Sequence, residues 1–418
     1  MKLFGFYTIQ ILNMITILGG KMRKITKNIY SVGVQNPLLR VFDIVFNTEF
    51  GTSYNAYLIK GQNKNALIEA VHEDFFDDYL INIQKIVPIE DIDYLILNHT
   101  EPDHSGAVKK LLSLNPNITV LATSAGHKYL SSIMNIQYQA LIAKDGETID
   151  LGNFNLSFIS APMLHWPDSM FTWCMEEKIL FTCDFFGAHY GEGEYFDFET
   201  KYPSLYEKAF RDYYDGIFSP FKPFVLEGLE KIKALDIKLI CPSHGLMLEK
   251  TIKHAMAKYQ KWSTKTKKDK LEALIIYVSA YGYTKKIASE IEATLVNQYG
   301  ITTISYDLVN DEFSNLNQVI DNADLLFIGT PTINRDALKP IWDITSLIDV
   351  FNNRGKVCGV FGSYGWSGEG VPMIVERLKS LKLNVIDEGI KVLFAPDDDD
   401  LIKIRSYVDK VVSTFFKR

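Results

Sequence analysis

DYLILNHTEPDHSG, residues 93–106, is the stretch that decides the fold of the first half of this 418-residue chain. Its apolar half is typical of a buried strand that ends near Asn98, and a helix is predicted to start near Ser105. The loop between them contains two imidazoles and two carboxylates within six positions: His99, Glu101, Asp103 and His104. Side chains of this kind at this spacing are typical metal ligands, so the sequence predicts a metal site at the end of the strand.

Three later strands end in the same way. The segments FNLSFISAPMLHW, KILFTCDFFG and IKLICPSHG each begin as an apolar strand and end near a potential ligand: His165, Asp184 and His244. The four strand ends together offer more imidazoles and carboxylates than one ion binds. Two ions that share a bridging carboxylate use them all and keep open positions for water or substrate. Ordinary structural roles are predicted for three other histidines: His72, His127 and His254.

The second half of the chain alternates strands with helices. Its strand candidates are ALIIYVSA, TTISYDLV, DLLFIGTP, KVCGVFGSYG and LNVIDEGIKVLF. This alternation predicts an α/β fold with a doubly wound parallel sheet. The sequence KWSTKTKKDK, residues 261–270, is polar and basic, and we interpret residues 263–270 as a linker between two domains. The predicted organisation is therefore an upstream extension over 1–21, a first domain over 22–262, the linker, and a second domain over 271–418.

Three loops at strand ends of the second domain predict a flavin site. The first is a hydroxyl-rich turn into a helix: Ser279, Tyr281, Gly282, Tyr283 and Thr284. Backbone N–H groups at such a helix start bind phosphate. The other two loops can line a flat ring between them: Pro331, Thr332, Ile333 and Asn334, then Ser363, Tyr364, Gly365 and Trp366. Neither GxGxxG nor GxxxxGK[ST] occurs at the first loop, so a mononucleotide, FMN, is favoured.

Composition narrows the possible partners and surroundings. The formal net charge of −7 argues against nucleic acid or an anionic membrane as the main partner. None of the four cysteines forms a CxxC pair, which argues against a zinc ribbon or a rubredoxin-type iron site. Scattered cysteines fit a reducing cytoplasm, so we expect a cytoplasmic protein.

The first domain resembles the metallo-β-lactamase fold, and the whole chain resembles the flavodiiron proteins. Hydrolases of that fold carry HxHxDH and bind zinc, whereas this chain has His99-x-Glu101-x-Asp103-His104, the flavodiiron pattern. The resemblance implies an αββα sandwich followed by a flavodoxin-like domain. It also implies two irons, one held by His99, Glu101 and His165 and one by Asp103, His104 and His244, with Asp184 as the bridge. His104 stands off the metal in some members of the family. The exchange of an imidazole for a carboxylate favours iron over zinc.

The same resemblance implies a function and a set of partners. The expected activity is the reduction of dioxygen to water, of nitric oxide to nitrous oxide, or of both, with FMN returning electrons to the irons. A head-to-tail homodimer, or a dimer of dimers, would bring the FMN of one subunit to the irons of the other. The expected electron donor is rubredoxin-like, and a reduced deazaflavin is another candidate.

Two alternatives and a set of supporting residues complete the expectations. A zinc hydrolase with a flavodoxin domain is the main alternative, and Glu101 argues against it. A non-catalytic electron carrier or gas sensor is the other, and the complete ligand set argues against that. Candidates for orienting a ligand or hydrogen-bonding a bound gas lie close to the ligands or on an early strand: Tyr54, Trp166, Asp168, His189 and Tyr190.

Overall fold

The computed structural model describes residues 22–43, 46–264, 270–312 and 316–417. The predicted extension over 1–21 and most of the predicted linker lie outside these residues. The chain divides into two compact units, Met1–Thr264 and Lys265–Arg418. Within the described ranges, no helix has both the length and the apolar composition needed to cross a membrane.

Two sheets form the centre of the first unit. The strands of the larger sheet are, in spatial order, β1 (Arg23–Lys24), β2 (Ile29–Ser31), β7 (Tyr57–Lys60), β8 (Asn65–Ile68), β9 (Ile92–Ile96), β10 (Thr119–Ala122) and β11 (Gln139–Ile142). The strands of the smaller sheet are β12 (Thr148–Asp150), β13 (Asn155–Ser160), β14 (Met170–Cys174), β15 (Ile179–Cys183) and β16 (Leu239–Pro242). Two short antiparallel pairs lie beside them: β3 (Val34–Asn36) with β6 (Thr52–Tyr54), and β4 (Val41–Phe42) with β5 (Phe46–Asn47).

Helices cover the outer faces of both sheets. Those of the first unit are α1 (Phe76–Gln84), α2 (Pro102–Ser105), α3 (Val108–Leu114), α4 (Ser124–Met134), α5 (Pro203–Tyr213), α6 (Lys222–Ile232) and α7 (Ile252–Ser263). A π-helical turn, Tyr214–Phe218, continues α5, and 3₁₀ turns occupy Glu73–Phe75, Ile89–Asp91 and Ser219–Phe221.

The first unit has four layers, two sheets with helices on their outer faces, and the alternation of side chains along the strands explains them. On β7, Tyr57 and Ile59 belong to the apolar cluster between the sheets, whereas Leu58 belongs to the cluster under the helices. Successive side chains of a strand point to opposite faces, so a strand that is apolar throughout must be covered on both sides. A third cluster, around Phe185 and Tyr259, packs the smaller sheet against α5, α6 and α7. This arrangement is the predicted αββα sandwich.

The second unit is a parallel sheet with helices on both faces. Its strand order is β18 (Thr302–Asp307), β17 (Glu272–Tyr277), β19 (Leu325–Gly329), β20 (Val357–Tyr364) and then β21 (Asn384–Val385), with β22 (Ile390–Leu393) also paired to β20. Its helices are α8 (Tyr283–Tyr299), α9 (Leu316–Asn322), α10 (Lys339–Ser346), α11 (Val350–Asn353), α12 (Gly370–Ser380) and α13 (Asp398–Phe416). Two apolar clusters fill the two faces of the sheet, which confirms the predicted doubly wound fold.

One predicted strand is divided. The segment LNVIDEGIKVLF forms β21 and β22 instead of one continuous strand, and both pair in parallel with β20. Asp387 and Gly389 between them have φ of 50° and 77°, which is left-handed backbone that no strand adopts. A Cβ on Gly389 would lie 2.8 Å from the carbonyl oxygen of Val360, so only glycine fits this break.

Candidate metal centre and flavin site

The predicted metal ligands meet at the carboxyl ends of four strands of the first unit. They follow β9, β13, β15 and β16 along the chain: His99, Glu101, Asp103, His104, His165, Asp184 and His244. Glu101 and His165 are half-buried and the others are buried. The structure therefore brings together all seven residues that the sequence singled out.

The helix after β9 starts earlier than predicted. The sequence indicated a start near Ser105, but α2 begins at Pro102 and so includes Asp103 and His104. Proline is well suited to the first position of a helix, because the N–H that it lacks has no intrahelical partner there. Asp103 and His104 are thus held by a helical turn and not by an irregular loop.

Three ligands form a cluster whose two histidines face one oxygen of Asp184. The Nε2 atoms of His99 and His165 each lie 3.1 Å from Oε2 of Glu101. The same two nitrogens lie 3.8 Å and 3.6 Å from Oδ2 of Asp184. We call His99, Glu101 and His165 the first trio.

A second cluster forms around the other oxygen of Asp184. Oδ2 of Asp103 lies 3.0 Å from Nε2 of His244 and 3.3 Å from Nε2 of His104. Oδ1 of Asp184 lies 3.1 Å from Nε2 of His104 and 3.4 Å from Nε2 of His244. We call Asp103, His104 and His244 the second trio. Each carboxylate oxygen of Asp184 thus faces a different trio, which is the arrangement that a bridging carboxylate requires.

Hydrogen bonds on the far side of two rings show what the clusters can hold. Nδ1 of His99 donates to Oδ1 of Asp168 at 3.1 Å, and Nδ1 of His244 donates to the carbonyl oxygen of Ser53 at 2.6 Å. In the neutral rings, Nε2 then carries a lone pair that points at a carboxylate oxygen. Two acceptors that face each other in this way repel, and a cation between them removes the repulsion. The donor set therefore fits metal ions.

The charges of the cluster lead to the same conclusion. Burial opposes protonation of His104, yet the carboxylates of Asp103 and Asp184 raise its pKa to about 10. Burial also opposes ionisation of Asp184, yet the charge and hydrogen bond of His104 hold the pKa of Asp184 well below its ordinary value. Such a negative field attracts cations, and metal binding displaces the ring protons that would otherwise balance it.

Three loops of the second unit meet at the carboxyl edge of its sheet. They lie at the ends of the adjacent strands β17, β19 and β20, where the sequence predicted them: Ser279, Tyr281, Gly282, Tyr283 and Thr284; Pro331, Thr332, Ile333 and Asn334; Ser363, Tyr364, Gly365 and Trp366. Tyr283 and Thr284 already belong to the first turn of α8, and Ser363 and Tyr364 are the last two residues of β20. Hydrogen bonds tie them together, because the Thr284 and Ser363 hydroxyls lie 2.8 Å apart and Thr332 N–H donates to Ser363 O at 2.9 Å. The loops thus form one site.

The first of these loops is shaped for a phosphate. Gly282 precedes α8 with φ of 82°, and a Cβ built there would meet open space. Ser279 Oγ accepts from Lys285 N–H at 3.2 Å, which folds the loop back over the start of the helix. The aromatic side chains of Tyr281 and Trp366 are exposed by 83% and 101%, an unusual exposure for rings of this size. A planar flavin that stacks on such rings with its phosphate at the helix start fits this site.

Comparison with known proteins supports both units. The model of the ODP family beta lactamase matches residues 52–245, and the flavodoxin model matches residues 275–406. A relative in Clostridium acetobutylicum, the flavo-diiron protein FprA2, is 47% identical over 387 residues, which cover 91% of this chain and 96% of that protein. The chain belongs to the flavodiiron protein family. The nitric oxide reductase of Moorella thermoacetica is another relative, 34% identical, with 90% of this chain and 94% of that protein covered.

A solved structure agrees over both domains. The flavodiiron chain matches rubredoxin oxygen:oxidoreductase from Desulfovibrio gigas with a TM-score of 0.71 and 27% identity, over 95% of this chain and 99% of that one. Membership of the family confirms the predicted resemblance, the predicted fold class, and the pairing of a diiron centre with FMN. The alternative of a zinc hydrolase is not favoured.

Asp168 hydrogen-bonds one of the predicted ligands directly. Besides His99, its carboxylate accepts from the N–H and the hydroxyl of Thr100, at 2.8 Å and 2.7 Å. The ring of Trp166 lies 5.0 Å from that of His99, edge to face. Tyr54 likewise packs edge-on against a ligand, with its ring 6.0 Å from that of His244. These contacts fix the orientation of the rings that face the metal site.

The two remaining candidates differ in their position relative to the metal centre. His189 lies at the site, with its ring 5.4 Å from that of His244 and Nδ1 3.0 Å from the hydroxyl of Thr52. Tyr190 lies next to it in sequence, but its hydroxyl bonds Thr200 and contacts no predicted ligand among the described residues.

The three histidines with predicted structural roles are indeed bonded elsewhere. His127 bonds the hydroxyl of Tyr138 at 3.1 Å, His254 pairs with Glu207 at 3.3 Å, and His72 accepts from Asp74 N–H. None of them belongs to either trio.

Three residues near the ligands were missed in the sequence. The hydroxyl of Tyr213 donates to Oδ1 of Asp184 at 2.9 Å. Asp43 hydrogen-bonds Glu101, and its partial desolvation together with the charges of Glu101 and Asp103 raises the pKa of Asp43 to about 6. Burial also raises the pKa of Glu69, behind His104, to about 7. Tyr213 lies in an amphipathic helix and the two acids stand alone in sequence, so no local pattern marks any of them.

Proposed function

We propose that the seven clustered side chains hold two iron ions. One iron would be bound by His99, Glu101 and His165. The other would be bound by Asp103, His104 and His244, and Asp184 would bind both irons. The observation that carries this assignment is the placement of the two oxygens of Asp184. One lies 3.6–3.8 Å from the histidines of the first trio, and the other lies 3.1–3.4 Å from the histidines of the second. The mixed carboxylate and imidazole set suits iron.

We propose further that the loops after β17, β19 and β20 bind FMN. The turn around Gly282 would hold the phosphate, and the exposed rings of Tyr281 and Trp366 would cover the flavin. When bound, the irons and the flavin supply the electrons for reduction of a small gas molecule. Family membership supports this assignment, because the flavodoxin model covers the same loops.

The activity that these sites support best is reduction of dioxygen to two waters, of two nitric oxide molecules to nitrous oxide and water, or of both. The residues of the chain orient and shield the centre: Asp168 and Ser53 fix the tautomers of His99 and His244. Tyr213 donates to the shared carboxylate and so fixes its plane. The names of relatives that reduce nitric oxide and dioxygen support the same chemistry.

Family membership also supports a set of partners. We propose a head-to-tail homodimer or a dimer of dimers, in which the flavin of one subunit serves the irons of the other. We also propose a rubredoxin-like electron donor, as the name of the Desulfovibrio gigas protein indicates for that protein, and a cytoplasmic setting. A monomeric protein with full turnover would contradict the dimer.

Gas consumption tests the proposed activity. Protein purified without air is reduced chemically, and loss of dioxygen and of nitric oxide is followed with electrodes in separate experiments. We expect consumption of at least one gas at many turnovers per chain. Loss of activity in Asp184→Ala, which removes the shared carboxylate, is the matched control. If the protein consumes neither gas at more than the rate of free flavin, the proposed activity is wrong.

A further inference from the structure

A cavity of about 270 Å³ lies beside the metal centre of the first unit. One wall is the segment 46–50, which includes β5, and the other is the end of α5 with the π-helical turn that follows it. Asn47, Glu49 and Asp212 are exposed at its mouth. Its interior is lined by apolar side chains such as Phe50, Ala209 and Ile217.

The two walls of the cavity meet at a glycine. Gly216 lies in the π-helical turn, and a Cβ there would lie 2.9 Å from the ring of Phe46, which therefore packs directly against this glycine. Any larger residue would therefore force the Phe46 ring to move or would itself fill the space. π-helical turns are rare and occur often at functional sites, because they change which side chains face a ligand.

The floor of the cavity touches the metal centre. His189 and Tyr213 form this floor, with their rings 4.8 Å apart. Tyr213 donates to the shared carboxylate of Asp184, and the His189 ring packs against His244. A molecule in the cavity is thus one layer of side chains away from Asp184 and from His244 of the second trio.

The lining is polar at the exposed mouth and at Thr48 and apolar at Phe50, Ala209 and Ile217, so it admits a small and weakly polar molecule. The cavity is well above the roughly 150 Å³ at which an apolar cavity is known to admit xenon. At the floor, Nε2 of His189 is buried and has no hydrogen-bond partner among the described residues, because Thr52 uses only Nδ1. Because this nitrogen has almost no accessible surface, a molecule in the cavity would contact the rest of the His189 ring instead.

We propose that this cavity, lined by Phe46, Phe50, Ala209, Gly216, Ile217 and His189, collects the diatomic gas and passes it to the metal centre. The proposal rests on the proposed function, since it supplies the substrate of that reaction. No bond forms or breaks in the cavity. The gas leaves the cavity by displacement of the His189 and Tyr213 rings.

Xenon is the probe that separates the cavity from the activity. Crystals of the full chain, loaded with iron and FMN, are pressurised with xenon, and its anomalous scattering is located. We expect xenon between the segment 46–50 and the π-helical turn. An absence of xenon there would overturn the proposal even in a protein that consumes gas. If the protein binds xenon there but reduces no gas, the cavity exists as described and the proposed function is refuted.

A pair of alanine substitutions tests the route. Ala209→Leu fills the cavity from α5, and Ala257→Leu makes the same change at an exposed position of α7. We expect Ala209→Leu to exclude xenon and to raise the KM for the gas about tenfold, with kcat at saturating gas within about twofold. Ala257→Leu should change neither quantity.

Iron and FMN contents of both variants must match those of the parent protein. If Ala209→Leu contains its full complement of iron and FMN and its KM for the gas is unchanged, the proposed route of the gas through the cavity is wrong. If Ala209→Leu does not fold, Phe46→Ala provides the opposite test, because it widens the cavity. We expect Phe46→Ala to raise xenon occupancy and to lower the KM about twofold, and a higher KM would contradict the proposal.

Discussion

Substitution of Asp168 by asparagine tests how the first trio is prepared for its metal. The carboxylate of Asp168 accepts from Nδ1 of His99 and twice from Thr100, and its side chain is fully buried. Asparagine keeps the shape but offers one acceptor oxygen and one NH₂ donor. If the oxygen stays with Thr100, the NH₂ group faces His99 and favours the tautomer with the hydrogen on Nε2. That tautomer has no lone pair for a metal.

The size of the effect follows from this change of tautomer. Loss of a partner that orients a ligating histidine typically costs about 10–100-fold in metal affinity. At about 1.4 kcal/mol per tenfold, this is about 1.4–2.8 kcal/mol of binding free energy. We expect the effect of Asp168→Asn to lie at the upper end of this range. It should weaken one of the two iron sites while the other keeps its affinity.

Anaerobic titration of metal-free protein with ferrous iron measures both affinities. Asp197→Asn is the matched control, because Asp197 is also a buried carboxylate with several donors, the N–H groups of Glu249, Lys250 and Thr251. It contacts no proposed ligand, so it should lower stability and leave both iron affinities unchanged. Equal affinities in Asp168→Asn and the parent protein would refute the reasoning about the tautomer.

Three further predictions concern the bridge, the flavin loop and the metal as a source of stability. Tyr213→Phe removes a hydrogen bond to the buried carboxylate of Asp184, so the free energy of unfolding of the metal-free protein should fall by about 1.5–3 kcal/mol in urea; unchanged stability would contradict the contact. Gly282→Val forces a branched residue to a φ of 82°, so FMN affinity measured by fluorescence should fall at least about tenfold, and normal affinity would show that this turn does not hold the flavin. Removal of iron by a chelator should lower the melting temperature of the first unit, since a ligand at about 1,000 times Kd contributes about 4.1 kcal/mol to stability. Calorimetry should show that the unfolding transition of the flavodoxin unit stays in place. An unchanged transition of the first unit would contradict the metal site.

The cluster of proposed metal ligands could be predicted from sequence because each one follows an apolar strand. The pattern HxExDH lies directly after β9, and His165, Asp184 and His244 follow strands whose apolar runs are unmistakable. These strands belong to the two packed sheets, and their carboxyl ends lie at the same edge of the sandwich, so the local pattern carries information about distant contacts. The three flavin loops could be found for the same reason.

The residues around the ligands could not be predicted in this way. Tyr213 reaches Asp184 only because α5 packs across the smaller sheet, and its spacing in sequence is that of any buried helical residue. Asp43 and Glu69 are single acids in apolar surroundings, where no period or motif distinguishes them. The break between β21 and β22 depended on a left-handed Asp387, a conformation that the sequence alone does not require.

Metal and flavin content of protein purified without air tests the central claim most directly. The two trios beside Asp184 and the three loops at the ends of β17, β19 and β20, the first of which contains Gly282, predict about two irons and one FMN per chain. Variants of the two sites should separate the cofactors: Asp184→Ala should lose iron and keep FMN, and Gly282→Val should lose FMN and keep iron. Zinc in place of iron, with no bound flavin, would contradict the assignment of this chain as a gas-reducing oxidoreductase.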